Sequence, residues 1–428
     1  MLSFVQSFFT PKASPIGIDF GSESLRMAQV RRVGKDLRLI AAASADVPSH
    51  VRNDPAGRLE FFSSSVRELL AQNEFVGRQA VIALPAASMY IQHLRIAKMD
   101  EEARRKAIPW EARGKLPIDP SQAILRHHVA GEIYQDQEPR EEIVLMAAGK
   151  ELVNQLLSAA SRARLDVVGM EVEAKALLDC FAHVYRRKSD AEATFCFVDI
   201  GTSATRAVVA RGGHILFARS IPIGGDHFNQ ATSAALNIPL EEARLVRLRI
   251  AATVENVKET KCEEPAREQI AEATIDNSFA LLKASVPVEA ERRSTGPSDP
   301  QLAIVPAVQP TVDPQSHLVE AALREPLTRL VQELDLCRRY YEATFPSHPI
   351  DRLVFVGGEA HHRRVCQRIA MELSLSAQVG DPMVRLAGTC DLSLESTLDP
   401  TVPQPSWAVA LGLSMGATVN TAQRAVKS

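Results

Sequence analysis

Two stretches of this chain, one near each end of its first half, spell the same turn. The first reads Ile16-Gly17-Ile18-Asp19-Phe20-Gly21-Ser22-Glu23-Ser24, the second Phe197-Val198-Asp199-Ile200-Gly201-Thr202-Ser203-Ala204-Thr205. In each, an apolar strand ends on an Asp, a Gly follows, small hydroxyl residues make the turn, and a second strand leaves it. The surroundings repeat as well. Leu25–Val30, Gly34-Lys35 and Leu37–Ala41 follow the first copy; Thr205–Arg211, Gly212-Gly213 and His214–Ile221 follow the second. The economical reading is an internal duplication, giving two similar α/β halves that can face one ligand from opposite sides.

The chain of 428 residues is 46% hydrophobic, enough for two to four structural domains. Its 49 basic and 52 acidic side chains leave a net charge of −3, which supplies no general field for nucleic acid or anionic lipid. The local basic runs Arg31-Arg32, Arg104-Arg105-Lys106 and Arg186-Arg187-Lys188 read as solvated faces. Six cysteines without CxxC spacing read as buried, reduced thiols, in keeping with a cytosolic setting. The pairs His127-His128 and His361-His362 have no partner ligands at metal spacing. No apolar run reaches the roughly 18 residues that a membrane span needs. The apolar start, Met1–Phe9, has no basic segment before it and reads as a short arm, not a signal peptide.

Between the two copies the pattern changes. Leu59–Gln72 carries Phe62, Val66, Leu69 and Leu70 on one helical face, and Gln79–Pro85 is a strand stopped by proline. Met89–Leu94, Ile124–Glu132 and Glu141–Ala148 read as strands. Asp100 caps a helix that Pro109 should end or kink, and Lys150–Arg164 is a further helix. After the second copy, Ala251–Leu282 is a Glu- and Lys-rich helix. Six of the 25 prolines then fall between Pro287 and Pro314, which predicts a disordered insertion. A helical stripe from Val319 to Tyr341, kinked at Pro326, leads to a strand at Arg352–Val356. Gly357-Gly358 and a helix to Leu373 follow. Trp407–Gly416 is a helix of small residues made for close packing.

Three glycine turns in this order, Asp-Phe-Gly-Ser, Asp-Ile-Gly-Thr and Val-Gly-Gly, resemble the actin-like ATPase superfamily. There two hairpin turns hold the phosphates and the third lies under the nucleoside. The physics suits those roles. Gly21 and Gly201 let backbone N–H groups approach phosphate, and Ser22, Ser24, Thr202 and Thr205 offer hydroxyl donors. Asp19 and Asp199 would repel phosphate directly, so their expected role is on Mg2+ or its waters. Gly357 and Gly358 would let a base or ribose rest on the backbone.

A closer resemblance, over nearly the whole chain, is to the PilM family of type IV pilus assembly, with FtsA and the GspL cytoplasmic domain as relatives. It rests on Ile16–Asp19, Val198–Gly201, Ile221-Pro222-Ile223-Gly224-Gly225, Arg338–Tyr341 before Val356-Gly357-Gly358, and Ala107-Ile108-Pro109-Trp110-Glu111-Ala112-Arg113-Gly114-Lys115-Leu116-Pro117. The last is the most specific, since generic sugar kinases lack it. The resemblance implies two duplicated RNase H-like halves: 16–85, 169–192 and 400–418 for the first, 193–240 and 316–399 for the second. An α+β subdomain is inserted at 86–168 and a helical subdomain lies at 241–286. An N-terminal arm at 1–15 and the Pro-rich insertion at 287–315 complete the chain. It also adds Gly224 and Gly225 to the expected nucleotide contacts.

The resemblance further implies a cytoplasmic scaffold that binds ATP with Mg2+ and sits at the inner membrane through its partners. Its expected partner is the N-terminal tail of a PilN-like membrane protein, held near residues 86–168, with self-association left open. No nucleic acid is expected. Arg26, in place of the lysine expected after the first turn, and Glu23 inside that turn depart from the pattern. Glu23 puts a negative charge inside the turn, which should weaken anion binding at the first copy. No carboxylate or Gln stands out to orient an attacking water, so turnover is expected to be weak at most. The competing classes are a small-molecule kinase on the same fold, with Asp199 as base, and an FtsA-like filament former. The polar tail 418–428 speaks against the latter.

Overall fold

The structure is a computed structural model describing residues 13–259, 314–387, 398 and 402–416. Most of the expected N-terminal arm, the continuation of the Glu- and Lys-rich helix past residue 259, the Pro-rich insertion up to residue 313, the polar tail, Cys262 and Cys390 lie outside the described residues. The chain divides into two units, Met1–His227 with Thr328–Ser428, and Phe228–Leu327.

In the larger unit, β1 (Ile16–Phe20) is buried along its whole length, Asp19 included. It pairs antiparallel with β2 (Ser24–Val33), which pairs antiparallel with β3 (Asp36–Asp46). On its other side β1 lies parallel to β4 (Gln79–Ala83), and β4 lies parallel to β8 (Asp166–Glu171). Helix α1 (Pro55–Gln72) starts where Asp54 accepts from the Ala56 N–H, with Pro55 at the first position. Its Phe62, Val66, Leu69 and Leu70 close over Ile16, Ile18 and Phe20.

The second sheet repeats this plan. β9 (Thr194–Ile200), β10 (Thr205–Arg211) and β11 (His214–Ile221) form the antiparallel meander; β12 (Arg352–Val356) and β13 (Ala377–Val379) follow in parallel beside β9. Strand order is thus β3-β2-β1-β4-β8 in one sheet and β11-β10-β9-β12-β13 in the other. The short β14 (Leu386–Ala387) adds to the free edge of β3. The duplication expected from the doubled turn is present strand for strand.

The inserted segment forms a three-stranded antiparallel sheet from β5 (Met89–Ala97), β6 (Ala123–Gln135) and β7 (Glu138–Gly149), β7 being central. Asp100 caps α2 (Glu101–Glu111) by accepting from the Ala103 N–H at 2.7 Å. Pro109 falls so near the end of this helix that the chain leaves it two residues later. One expectation fails: Arg104 is buried, not solvated. Its guanidinium grips Glu141 with two bonds, 3.0 and 2.8 Å, and bonds Glu101 and the Met99 carbonyl. A second difference concerns α3 (Lys150–Arg162). Its Ala159 and Ala160 lie in the core of the first sheet, and the Ala159 carbonyl accepts from Ser63 on α1. This helix therefore packs with the first half, and β8 opens three residues before the expected boundary.

Helix α4 (Glu173–Phe181), α5 (Lys188–Glu192), α9 (Arg363–Leu373) and a helix at 408–416, α10, complete this unit. The small residues of α10 have the purpose read from them. A Cβ on Gly412 would collide with the Ala176 carbonyl of α4, and one on Gly17 of β1 would collide with the Ala410 carbonyl. Between them, Ser414 Oγ accepts from Val30 N at 3.1 Å and donates to Pro15 O at 2.8 Å. Cys180, Cys196, Cys337 and Cys366 are buried free thiols.

The smaller unit takes most of α6 (Gly225–Leu236), α7 (Leu240–Glu259) and the start of α8 (Pro314–Thr344), which contains Pro326. There Arg247 of α7 bonds Asn229 and lies 5.3 Å over the Phe228 ring. No helix among the described residues is long and apolar enough to cross a membrane.

Candidate nucleotide cleft

The two copies of the turn close in the same way. Gly21 N donates to Ser24 O, and Gly201 N to Ala204 O, each at 3.0 Å. The hydroxyl-bearing tips then meet. Ser22 Oγ lies 2.9 Å from Ser203 Oγ, and Thr202 Oγ1 donates to Glu23 Oε2 at 3.1 Å. Glu23 also pairs with Arg52 at 3.4 Å. Arg58, stacked on Phe20, donates to the Gly21 and Ser22 carbonyls at 2.9 and 3.2 Å and so fixes the first turn from behind.

The Gly224-Gly225 corner at the start of α6 backs the second turn. Gly225 N donates to Gly201 O at 3.0 Å and Asp226 N to Thr202 O at 2.8 Å. A Cβ on Gly224 would stand 2.5 Å from Gly201 O, so this corner must be glycine. Thr205 is fully buried and gives its hydroxyl to Ile223 O at 2.7 Å, so it braces the corner and is not offered to a ligand. Ser24 is buried too, and its carbonyl closes the first turn. Gly357 has φ +87°, which only glycine takes without strain, and a side chain there would strike the Asp199 carboxylate. Gly358 has open space where a Cβ would point. The structure thus gathers Asp19, Gly21, Ser22, Asp199, Gly201, Thr202, Gly224, Gly225 and Gly357 at one junction of the two sheets.

Beneath the turns lies a charged layer of which the sequence singled out Asp19, Asp199 and Arg26 but not Arg206 or Glu173. Asp19 of β1 stands opposite Arg26 of β2, and Asp199 of β9 opposite Arg206 of β10. Arg206 donates to Asp199 Oδ2 from Nε at 3.1 Å and Nη2 at 2.8 Å, and its Nε also lies 2.8 Å from Glu173 Oε2. Glu173, at the start of α4, is itself buried. Burial raises the Asp19 carboxyl above its ordinary range; Arg26 opposes this, Asp199 adds to it and Arg206 opposes it. Burial raises Glu173 in the same way, against Arg206 and with Asp199 and Asp19. Burial alone would lower Arg206, but Asp199 and Glu173 more than reverse this. Burial lowers Arg26, against the pull of Asp19, Asp46, Glu23 and Asp199. The signal for this layer was present in the sequence: each copy carries an Arg seven positions after its Asp.

Asp199 is already engaged by Arg206 on one carboxylate oxygen. Both Arg206 bonds fall on Asp199 Oδ2, and Oδ1 faces the Gly357 backbone. No group of three or more His, Cys, Asp or Glu that would hold a metal occurs among the described residues.

Twin sheets of this order, with first-strand turns that meet and a glycine turn closing on one Asp, make the actin-like ATPase fold. The family model described as type IV pilus assembly protein PilM matches residues 17–279, and the chain belongs to that family. A model for cell division protein FtsA matches residues 196–412, the stretch that holds the second sheet. Among solved structures, a PilM-PilN type IV pilus biogenesis complex is similar at TM-score 0.66 and 20% identity, covering 94% of this chain and 98% of that one. The ethanolamine utilization protein EutJ from Carboxydothermus hydrogenoformans is more distant, at TM-score 0.46, 14% identity and coverage of 95% and 91%. MreB5 of Spiroplasma citri bound to ADP has TM-score 0.45, 11% identity and coverage of 96% and 98%. No curated protein matches this chain.

Proposed function

We propose that this chain is a nucleotide-binding scaffold of a type IV pilus, or related secretion, assembly platform. It stands on the cytoplasmic face of the inner membrane and takes the N-terminal tail of a PilN-like membrane protein. The observation that carries this reading is the meeting of the two matched turns beside Gly357, in a chain of the PilM family whose likeness to the PilM-PilN complex runs over almost its whole length. ATP would lie against the two turns, with its phosphates at the turn tips around Ser22 and Thr202 and its nucleoside toward the open side of Gly358. The inserted sheet, whose β5 is an edge strand, suits an extended peptide. Nucleotide would set the angle between the halves and the peptide would carry the attachment.

Calorimetric titration with a synthetic tail peptide from a PilN-like protein, with and without ATP, tests this. Binding in at least one condition is expected. No binding in either would overturn the scaffold reading.

A further inference from the structure

Resting on that nucleotide-binding reading, we infer that Glu23 sets which nucleotide the cleft prefers. Its carboxylate holds the place of a terminal phosphate, so ADP binds more tightly than ATP. The geometry of the two tips carries this. Both turns close on the same frame, Gly21 N to Ser24 O and Gly201 N to Ala204 O, so Ser22 matches Thr202 and Glu23 matches Ser203. The contacts across the junction follow that match crosswise. Ser22 Oγ meets Ser203 Oγ at 2.9 Å, and Thr202 Oγ1 donates to Glu23 Oε2 at 3.1 Å. Of these side chains only Glu23 is an acid; the others are neutral hydroxyls. A hydroxyl at such a tip is a donor that a phosphate oxygen can use. In this chain Thr202 already gives it to a carboxylate, an acceptor of the same sign of charge.

Glu23 is also held in that position. Val47 N donates to its backbone carbonyl at 2.8 Å. Arg52 pairs with Oε1 at 3.4 Å and donates from Nε to Val47 O at 3.3 Å. Both carboxylate oxygens are thus engaged, one within the first half and one across to the second. Glu23 and Arg52 are each 20% exposed, so water screens the pair and Arg52 offsets only part of the charge. The field of Glu23 reaches the second turn. Asp226, whose N–H braces Thr202 O, has its carboxyl raised by burial first and by Glu23 next. With the nucleoside toward Gly358, the phosphates run toward the tips, and the last of them is the one that reaches Thr202. ATP must displace Glu23 and then stand beside it; ADP, one phosphate shorter, needs neither.

The test is calorimetry of ADP and of ATP, each in excess Mg2+, with the full chain, with Glu23→Gln and with Glu23→Ser. The Gln variant keeps the shape and an acceptor for Thr202 but removes the charge. The Ser variant gives the first turn the residue that the second turn has. Thermal melting without ligand checks that both fold. Wild type is expected to bind ADP at least about fivefold more tightly than ATP. Each variant is expected to gain at least about tenfold for ATP and to change by less than about threefold for ADP. Wild type that binds ATP as tightly as ADP, no gain for ATP in either variant, or an equal gain for ADP would overturn the inference and leave the nucleotide reading intact. No binding of either nucleotide by any of these proteins would overturn both.

Discussion

Arg206 serves two carboxylates at once, and the second of them, Glu173, sets a pH dependence that can be measured. Glu173 is raised by burial, against the pull of Arg206 and with the repulsion of Asp199 and Asp19. Its folded pKa exceeds its unfolded value, so its favourable contribution is complete below the ordinary range near 4.5 and is lost as pH rises through the folded value. Wild-type stability should therefore decline by up to about 1.4 kcal/mol per pH unit across that window. Glu173→Gln should flatten the slope and make the variant the more stable protein at alkaline pH. Urea unfolding of both at several pH values checks this; parallel curves would show that Glu173 does not titrate there. The same residue shows where sequence reading stops. Asp19 and Asp199 were legible because a strand-ending Asp before Gly is a local pattern. Glu173 was not, because its partner lies across a contact between α4 and the second sheet that no local pattern encodes.

At the scale of elements, the strands and turns of both meanders were legible because alternation and Gly-Gly or Gly-Lys punctuation are local. Their lengths were not: β2 and β3 run several residues past the apolar core of each strand because ladder hydrogen bonds sustain Arg31, Arg32 and Asp46 in strand. Arg104 deceived for a related reason. Within Arg104-Arg105-Lys106 all three side chains look alike, yet only Arg104 sits on the face of α2 that meets Glu141, 37 positions away. Helix α10 gives the clearest element-scale prediction. In an open helix Gly→Ala gains about 1 kcal/mol from propensity. At Gly412 the added methyl would meet the α4 backbone, which cannot rotate away, so Gly412→Ala should instead cost roughly 1–3 kcal/mol. The urea midpoint reads the sign directly.

Across the whole larger unit, one carboxylate gathers the polar contacts between the inserted sheet and the second half, beside a shared apolar core. Glu142 of β7 is fully buried and accepts from His93 at 2.9 Å, Arg95 at 3.0 Å and Tyr340 of α8 at 2.7 Å, while His93 also bonds Ala218 O of β11 at 3.1 Å. His93 stacks on Phe217, and Tyr340 closes the edge. Glu142→Gln should loosen this tie by roughly 2 kcal/mol, with discount for the partly exposed Arg95. Amide exchange should quicken in 89–149 and stay unchanged in β1–β4; equal quickening in both would mean a general loss of stability. The Ser414 hydroxyl that bridges Val30 and Pro15 joins residues 384 and 399 positions apart. During synthesis the first meander is made before the second, yet the helix that roofs it emerges only after the whole second sheet, whereas the second meander is contiguous in the chain. The first half is therefore completed after the second, and until α10 arrives the face of β1 at Gly17 stays uncovered.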